Sequence, residues 1–486
     1  MTVRVSRRTA IAIGACGAGS IALGVAGLAA GGGVPEKTQR GDDAAGGAPW
    51  SEPAVLESSG GLLACELRVA AAPVEVAGGA ARMLTYNGTV PGPTLHVRPG
   101  DTLRVRLVNE LDEPTNLHTH GLEVSPAGAS DNPMIEIAPG QAFDYELSIP
   151  ADHPSGVFWY HPHRHGLVAA QVFGGLYGAI VVDSDDWSAA APRIAVVSDT
   201  TIVRGEVAQP NAAASGDGRV GDTLLTNGLV APLLTGGPGG VERVLVINAC
   251  ATRYLDLDLG GRTVRVRGRD GGAFEPAVET RRVLVVPGGR VDLEMEVPAE
   301  PVDLVARAYA LHGGGMGGMG GMGGMGGMGA TPADATVLTL GPGGASRPVA
   351  PRTSRPRRDL RDAPVVRRRI IRMTGGMSSM AAMTFDFDGR PFDADRVDQD
   401  VSLGTVEEWV LENASPMHHP FHLHTWPMQV MDATPGVVDV RDVVDVPAGA
   451  TVTVRIAFDR FAGVTVYHCH ILDHEDLGMM GVVEAG

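Results

Sequence analysis

The sequence predicts an all-β protein of three sandwich domains, and three observations support this prediction. Short runs in which apolar and polar residues alternate recur along most of the chain, as expected for strands with one buried face. Turn pairs such as Gly-Asp, Pro-Gly and Asn-Gly separate these runs. The chain has 486 residues, which is too many for one ordinary core and fits two to four domains.

The clearest alternating runs identify candidate strands in chain order. They are residues 102–108, 143–147, 244–248, 264–267, 283–286 and 451–456. They belong to three β segments of roughly 120 to 150 residues each, the usual size of a sandwich domain. The expected division is an export signal over 1–30, a flexible linker over 31–55, a first domain over 56–190, a second over 191–345 that includes a Gly/Met-rich tract at 313–329, an Arg/Pro-rich connector over 346–369, and a third domain over 370–486.

The first thirty residues are typical of an export signal. Arg7 and Arg8 precede an uncharged, Gly/Ala-rich run over residues 10–30 and resemble a twin-arginine signal peptide. The run is also long enough for a transmembrane anchor, although its glycines make it poorly hydrophobic. We therefore expect an exported protein, periplasmic, cell-envelope or extracellular, with no stable membrane insertion after the signal is removed.

Charge and cysteine content narrow the partners further. The formal net charge of −17 argues against nucleic acid as a partner, because the phosphate backbone selects basic surfaces. Two cysteines, Cys65 and Cys250, lie outside both the signal and the histidine-rich motifs. An exported protein can pair them as a disulfide or bury them as free thiols, and the sequence leaves both alternatives open.

Four short histidine clusters point to metal binding. Ten of the fifteen histidines fall in these clusters together with Cys469 and Met479. The clustered histidines are His118, His120, His161, His163, His419, His422, His424, His468, His470 and His474. A His-x-His pair on a strand places both rings on one face, and many buried imidazoles without partners would be costly. Metal ligation accounts for all four clusters at once.

Ligand type indicates copper. Thiolate and thioether ligands favour copper, and His419, Cys469, His474 and Met479 form the set of two histidines, one cysteine and a weak axial methionine found in blue-copper sites. Zinc on Cys/His ligands is the alternative, but it leaves eight further histidines without a purpose. On an extended strand Cys469 faces one side, while His468 and His470 face the other. The backbone would therefore connect a copper on the sulfur side to metals on the opposite side, as an oxidase requires.

These motifs resemble those of the multicopper oxidase family, which includes laccases, cuprous oxidases and ascorbate oxidase. The segment Tyr86–Pro93 (Tyr-Asn-Gly-Thr-Val-Pro-Gly-Pro) and the turn Thr226-Asn227-Gly228 extend the similarity to the first and second domains. The resemblance implies three cupredoxin-like Greek-key β-sandwich domains and four coppers per chain, with dioxygen reduced to water. It assigns the type-1 copper to His419, Cys469, His474 and Met479, the type-2 copper to His118 and His422, and the type-3 pair to His120, His161, His163, His424, His468 and His470.

The same resemblance implies further roles. The trinuclear cluster would lie between the first and third domains, and the middle domain, which supplies no ligand, would act as a spacer. Reduction of dioxygen to water consumes four protons, and carboxylates are natural relays. Glu475 follows ligand His474, and Asp131 lies near the family's acidic position after the first His-x-His pair, shifted by two residues. Both are candidate proton relays, with solvated or capping carboxylates as the alternative.

The distribution of methionines is informative about the identity of the electron donor. Five lie in the Gly-Gly-Met tract, and Met373, Met377, Met380 and Met383 share the spacing of one helical face, although Gly375-Gly376 weakens any helix. Thioethers select Cu(I), and methionine-rich segments resemble those of bacterial cuprous oxidases. Met417 matches a substrate-copper methionine of these enzymes, but Ser415 stands where they carry an aspartate.

We therefore expect a multicopper oxidase that oxidises Cu(I) and gives copper tolerance. The alternatives are a laccase that oxidises phenols or aromatic amines, and a copper-sequestering protein without catalysis. A neutral linker and a core-packing helix are the alternative interpretations of the two methionine-rich segments.

Overall fold

The computed structural model consists of six sheets that pack in three pairs. It describes residues 47–183, 191–208, 216–312, 332–345, 347–349, 357–379, 382–432 and 437–486. Among these residues, regular structure is almost entirely strand, with two short helices. The predicted all-β fold of three cupredoxin-like sandwiches is confirmed.

The first pair of sheets contains the amino-terminal histidine motifs. Its elements are β1 (Val55–Glu57), β2 (Leu62–Val76), β3 (Gly79–Tyr86), β4 (Thr94–Val97), β5 (Thr102–Asn109), β6 (His118–His120), β7 (Ala142–Ser148), β8 (Gly156–His161), α1 (Val168–Gly174) and β9 (Gly178–Val182). The strand orders are β1-β4-β9-β8-β6 and β3-β2-β5-β7. Strand β5 alternates between buried and more exposed residues, as the sequence predicts, and its buried side packs against β4, β8 and β9 across a shared core.

The second pair of sheets carries none of the clustered histidines. Its strands, with two that join the first pair, are β10 (Arg193–Thr200), β11 (Ile202–Val203), β12 (Glu206–Val207), β13 (Thr223–Thr226), β14 (Leu233–Gly236), β15 (Val241–Asn248), β16 (Leu255–Asp258), β17 (Val264–Arg269), β18 (Gly272–Thr280), β19 (Val283–Val285), β20 (Arg290–Glu296), β21 (Val302–Arg307) and β22 (Ala335–Pro342). The orders are β13-β10-β15-β20-β17-β18 and β14-β22-β21-β16-β19. Strands β11 and β12 instead extend the sheet of β3, in the order β11-β12-β3.

The third pair of sheets contains the carboxyl-terminal motifs. Its elements are β23 (Arg367–Ser379), β24 (Ala382–Phe387), β25 (Gln399–Val401), β26 (Thr405–Asn413), β27 (His419–Leu423), β28 (Met428–Val430), β29 (Val440–Arg441), β30 (Val443–Val446), β31 (Thr451–Phe458), β32 (Gly463–Cys469), α2 (Leu472–Asp476) and β33 (Met480–Ala485). The orders are β24-β23-β26-β31-β28-β29 and β25-β33-β32-β27-β30. Buried apolar residues of both sheets form one core around Trp409 and Phe421.

The methionine segment at the start of the third domain does not form the helical face that its spacing suggested. It forms the antiparallel pair β23–β24, in which Met377 lies opposite Met383 and Met373 opposite Phe387. Met373 is fully buried in the core of the third domain. Nothing is described of the side chains of Met377 and Met383, and Met380 lies outside the described residues.

The structure tests only some of the other predictions made from the sequence. The export signal, most of the linker and the Gly/Met tract lie outside the described residues, and the domain boundaries stay predictions. Within the described residues no helix has the length and apolar character needed to span a bilayer. Cys65 and Cys250 are free thiols, so the disulfide alternative is wrong.

Candidate metal centres

Strand pairing brings the histidine motifs of each domain together. In the first domain, β6 pairs with β8 so that His118 lies opposite His161. In the third domain, β27 pairs with β32 so that His422 lies opposite His468. His118 and His120 both lie on β6, where alternation places their rings on one face. His163, His424 and His470 follow within two residues of the ends of β8, β27 and β32, so the two antiparallel pairs bring most of one histidine cluster together.

Eight buried imidazoles from the first and third domains form this cluster. They are His118, His120, His161, His163, His422, His424, His468 and His470. The ring of His118 stacks on that of His424 at 3.8 Å between centroids, and His120 stacks on His422 at 3.9 Å. The sequence-predicted ligands of the type-2 and type-3 coppers thus lie together.

Several groups of three have the geometry for a shared metal ion. Within each group one ligand atom per residue lies within 4.8 Å of the others. The groups are His118-His422-His424, His118-His120-His161, His163-His424-His468 and His120-His422-Asp442. His470 belongs to none of them, although its ring lies 4.9 Å from His120 and 5.8 Å from His161.

The hydrogen bonds of the two ring nitrogens show whether these histidines are suited to bind a metal. His118 Nδ1 lies 3.0 Å from both Asp131 oxygens, His161 Nδ1 bonds the Pro162 carbonyl at 2.8 Å, and His422 Nδ1 bonds the Asp442 carbonyl at 2.7 Å. In all three rings the remaining nitrogen, Nε2, is buried without a hydrogen-bond partner. A ring that donates from Nδ1 exposes a bare lone pair on Nε2, the form that ligates metals.

Protonation states agree with this test. Burial lowers the pKa of His118, His161 and His422 well below the ordinary value. It lowers the pKa of His163 and His468 to about 4. Neutral imidazoles at physiological pH are the form that metal ligation requires. Unpartnered buried nitrogens on neutral rings fit a bound metal better than an empty polar core, which would be costly.

A second centre contains the cysteine. Cys469 Sγ lies 3.4 Å from His419 Nδ1 and 3.7 Å from His474 Nδ1, and all three residues are buried. The Ile471 amide donates to the same sulfur at 3.4 Å. Met479 is fully buried, and its carbonyl accepts a hydrogen bond from the Cys469 amide. This donor set of soft sulfur and imidazole matches copper preferences.

Neighbouring side chains contact the two histidines of the cysteine centre. The Phe385 ring, on the methionine hairpin β23–β24, stacks on His474 at 3.8 Å and 12°. His419 Nε2 lies 2.7 Å from Ser415 Oγ, the position at which the sequence departs from the cuprous oxidases. The His474 ring is therefore held by a stacked aromatic ring, and the His419 ring by a contact at the nitrogen that does not face the sulfur.

The segment His468–His470, at the end of β32, divides its side chains between the two centres. Cys469 faces His419 and His474, whereas His468 Nε2 lies 3.1 Å from His163 Nε2 and 3.2 Å from His424 Nε2. The ring of His470 belongs to the same eight-histidine cluster. One peptide bond on either side of Cys469 thus separates the sulfur centre from the cluster.

Two sequence-predicted carboxylates border the cluster. Besides its contact with His118, Asp131 accepts a hydrogen bond from the Thr119 amide at 2.9 Å, and burial raises its pKa to about 7. Glu475 Oε2 lies 3.0 Å from His468 Nδ1, although neither oxygen of Glu475 makes a hydrogen bond. Burial raises the pKa of Glu475 to about 7 as well.

Sequence reasoning missed a contribution from the middle domain. Arg290 on β20 is buried and pairs with Asp442, which in turn contacts ligand candidate His120. Gly288, three residues after β19, packs its backbone against the ring of His470. The sequence does contain the Pro-Gly-Gly-Arg turn and the Gly121 that follows His120. Neither segment indicates which distant residues it contacts.

The surface beside the cysteine centre is aromatic and acidic. Tyr254 and Tyr309 stack with ring centroids 5.0 Å apart, and the ring of His418 meets both edge-on. Asp445 accepts a hydrogen bond from the Tyr254 hydroxyl at 2.8 Å and lies 2.9 Å from His418 Nδ1. Met417, the candidate substrate-copper ligand, is buried beside them and forms a backbone bridge with His312.

Comparisons with known proteins agree with this geometry. Two family models described as multicopper oxidase match residues 68–186 and 364–486. A curated multicopper oxidase of Staphylococcus haemolyticus is 28% identical over 82% of this chain and 83% of its own length. A laccase of Bacillus subtilis is 26% identical over 82% of this chain and 89% of its own. The solved structure titled as a multicopper oxidase from Campylobacter jejuni, a metallo-oxidase, aligns with a TM-score of 0.78 and 27% identity over 90% of this chain and 95% of that one.

Proposed function

The chain belongs to the multicopper oxidase family of oxidoreductases, and on that premise we propose that its electron donor is Cu(I). The reaction removes four electrons, one at a time, from four Cu(I) ions and transfers them to one dioxygen, which takes up four protons to give two waters. Oxidation to Cu(II), which crosses membranes less readily, would give copper tolerance. Such a role suits the exported location that Arg7 and Arg8 suggest.

The proposed copper ligands follow the two centres. Type-1 copper is assigned to His419, Cys469, His474 and Met479; type-2 to His118 and His422; and the type-3 pair to His120, His161, His163, His424, His468 and His470. Four bound coppers supply one-electron redox chemistry at the first centre and dioxygen reduction at the other three. The chain's own contribution is to fix which ring nitrogen is bare and to keep bulk water away from fully buried donors.

Proton delivery is assigned to the two buried carboxylates. Glu475 lies beside His163 and His468, at 3.5 and 3.0 Å, and Asp131 lies beside His118. A carboxyl whose pKa lies near neutrality can hold a proton and release it to a nearby acceptor. Each group is therefore placed at the edge of the eight-histidine cluster, where protons are consumed.

The observation that carries the choice of Cu(I) is the attachment point of the Gly/Met tract. His312, the last described residue before the tract, bridges Met417, and the His418 amide donates to the Leu311 carbonyl at 2.8 Å. His312, which directly precedes the tract in sequence, therefore pairs with the chain two residues before His419. Its five methionines offer thioethers, which select Cu(I) over harder cations. The hairpin that carries Met377 and Met383 also contacts this centre through Phe385.

The second candidate is laccase-type oxidation of phenols or aromatic amines. It is favoured by the partly exposed ring of Tyr309 beside His418, because an aromatic donor can stack on this ring close to His419. An electron could then enter through the ligand itself without any bound substrate metal.

Replacing the five tract methionines by leucine separates these candidates. Leucine preserves the length and volume of residues 313–329 but removes every thioether. If Cu(I) is the donor, kcat/KM for Cu(I) falls at least tenfold while the rate with a phenol is unchanged. A deletion of the same tract serves as the second variant. Unchanged Cu(I) turnover in both, with fast phenol oxidation in the absence of added copper, would establish the laccase instead.

A further inference from the structure

The middle domain approaches the eight-histidine cluster at one turn. Strands β19 and β20 are joined by Val286, Pro287, Gly288 and Gly289. The turn is fixed to the end of β15, since Gly288 N donates to the Asn248 carbonyl and Asn248 N to the Gly289 carbonyl. Gly288 has a φ of +81°, and a Cβ there would lie 2.7 Å from ring atoms of His470. Glycine is required both by the backbone and by the imidazole against it.

Arg290, directly after this turn, contacts all three domains. Its Nε donates to the Val157 carbonyl of the first domain at 3.2 Å. Its guanidinium binds both oxygens of Asp442 in the third domain, with Nη2 to Oδ2 at 2.7 Å. Its own amide donates to Asp270 of the middle domain at 2.8 Å, and the side chain is 1% exposed. Two parallel hydrogen bonds from the planar guanidinium fix the orientation of the Asp442 carboxylate.

Asp442 orients two ligand candidates at once. Its carboxylate accepts the Nε2 proton of His120 at 3.0 Å, which leaves His120 Nδ1 as the bare and unpartnered nitrogen. Its backbone carbonyl accepts the Nδ1 proton of His422, which leaves His422 Nε2 bare. Since the tautomer decides which nitrogen can bind a metal, this one residue sets the donor atom of both stacked rings.

Shape supports the same arrangement. Gly121, which follows His120, leaves room for the pair: a Cβ there would lie 2.3 Å from Arg290 Nη2 and 2.7 Å from Asp442 Oδ2. Gly121 and Gly288 thus leave room for the middle domain beside His120 and against His470.

We propose that the middle domain is a positioning element of the trinuclear centre, acting through Arg290 on Asp442 and through Gly288 on His470. It is therefore more than the spacer that its lack of ligands suggested. The inference rests on the proposed assignment of the eight histidines to copper but is independent of the electron donor. Arg290 is a positioning residue, because it touches no ligand candidate itself and acts through Asp442.

The test compares Arg290→Gln with Arg243→Gln. Arg243 forms the same kind of pair in the same domain, bidentate to Asp292 at 2.9 and 2.8 Å, with side chains 4% and 6% exposed. Both variants remove the guanidinium that binds a buried carboxylate, so thermal stability should fall in both. Only Arg290→Gln should weaken copper binding at the trinuclear centre, by about 10- to 100-fold, as loss of a partner of a ligating histidine does.

The readouts are copper per chain, the type-2 signal in electron paramagnetic resonance, and the type-1 absorption as internal control. We expect Arg290→Gln to lose type-2 and type-3 copper but retain type-1 absorption, and Arg290→Lys to recover part of the loss. Full type-2 and type-3 occupancy in Arg290→Gln, or an equal loss in Arg243→Gln, would overturn the proposal. These readouts need no substrate. Failure of Cu(I) turnover would therefore disprove Cu(I) as the electron donor and leave the positioning role of the middle domain unaffected.

A glycine pair provides the second test, in case Arg290→Gln does not fold. Gly288→Ala and Gly239→Ala both place a side chain at positive φ, +81° and +69°, in the middle domain. No atom lies within 4 Å of a Cβ at Gly239, whereas His470 lies 2.7 Å from one at Gly288. Only Gly288→Ala should change the type-3 copper content; the same change, or none, in both variants would contradict the role of the turn.

Discussion

Replacement of Ser415 should raise the reduction potential of the type-1 copper. His419 presents Nδ1 to the Cys469 sulfur, so its Nε2 carries the proton and faces Ser415 Oγ at 2.7 Å. The hydroxyl has one proton, which it donates to Asn413 Oδ1 at 2.8 Å or to the Met417 carbonyl at 3.1 Å. Ser415 therefore accepts from His419. An imidazole whose N–H is accepted is more basic and stabilises Cu(II) over Cu(I).

The expected size follows from the strength of one hydrogen bond. A buried neutral bond contributes about 0.5–1.5 kcal/mol. If this difference applies to the oxidised form alone, the potential of a one-electron couple rises by about 20–60 mV in Ser415→Ala. Ser415→Asp should shift it in the opposite direction, because a carboxylate accepts more strongly and adds negative charge next to the ligand.

The assay is a redox titration of the type-1 absorption in the copper-loaded protein. Ser198→Ala is the matched control, since Ser198 is also buried and hydrogen-bonded, to the Tyr177 hydroxyl at 2.6 Å, in another part of the chain. A rise of less than about 10 mV in Ser415→Ala would be too small for the loss of one hydrogen bond and would refute the reasoning. A lowered potential in Ser415→Ala would refute it as well. So would the same shift in Ser198→Ala.

Three further predictions concern stability and colour. Arg219→Ala should lower the free energy of unfolding by about 1.5–3 kcal/mol, because the buried Asp473 loses the Arg219 guanidinium, which donates at 2.8–3.1 Å, while the amide of residue 219 still donates to it; denaturant titration measures it. Burial lowers the pKa of His153 from 6.5 to about 4, so its neutral form stabilises the native state above about pH 6.5 and this contribution, about 3 kcal/mol, is lost as the pH falls toward 4. His153→Gln should lack that loss when apoprotein stabilities are compared at both pH values. Cys469→Ser should abolish the intense type-1 absorption and leave one copper fewer per chain.

Each of these predictions has its own control. Arg104 pairs with Glu146 on the surface, with both side chains more than half exposed, so Arg104→Ala should change stability by no more than about 1 kcal/mol. An equal loss in Arg104→Ala and Arg219→Ala would contradict the argument from burial. A constant difference between the native chain and His153→Gln across the pH range would contradict the lowered pKa. Retained blue colour in Cys469→Ser would remove the sulfur ligand from the proposed centre.

The strands and the ligand pairs were predictable because their signals are local. Alternation over six to eight residues identifies a strand such as β5 and also places both rings of a His-x-His pair on one face. The division of Cys469 from its flanking histidines follows from the same rule. These features need no knowledge of what lies across the sheet, and the structure contains β5 and a strand that carries both His118 and His120.

Features that depend on distant partners were not predictable. Arg290 and Asp442 are 152 residues apart, and nothing local in either segment names the other. The methionine spacing at 373, 377, 380 and 383 suggested a helical face, yet the segment pairs as a hairpin. Gly375 explains the difference, because a Cβ there would lie 2.7 Å from the Phe385 ring, which itself packs on His474. The glycine that weakened the helix provides space for an aromatic ring in a sheet.

The strand β12 has a consequence for anyone who divides this protein. It lies beyond residue 190, yet it pairs with β3, and the Arg82 amide donates to the Gly205 carbonyl at 2.8 Å. β12 covers β3 at this position, so a fragment that ends at the predicted boundary would lose the bridge and expose the Arg82 amide on the edge of β3. Such a fragment should self-associate more in solution than one extended through residue 208.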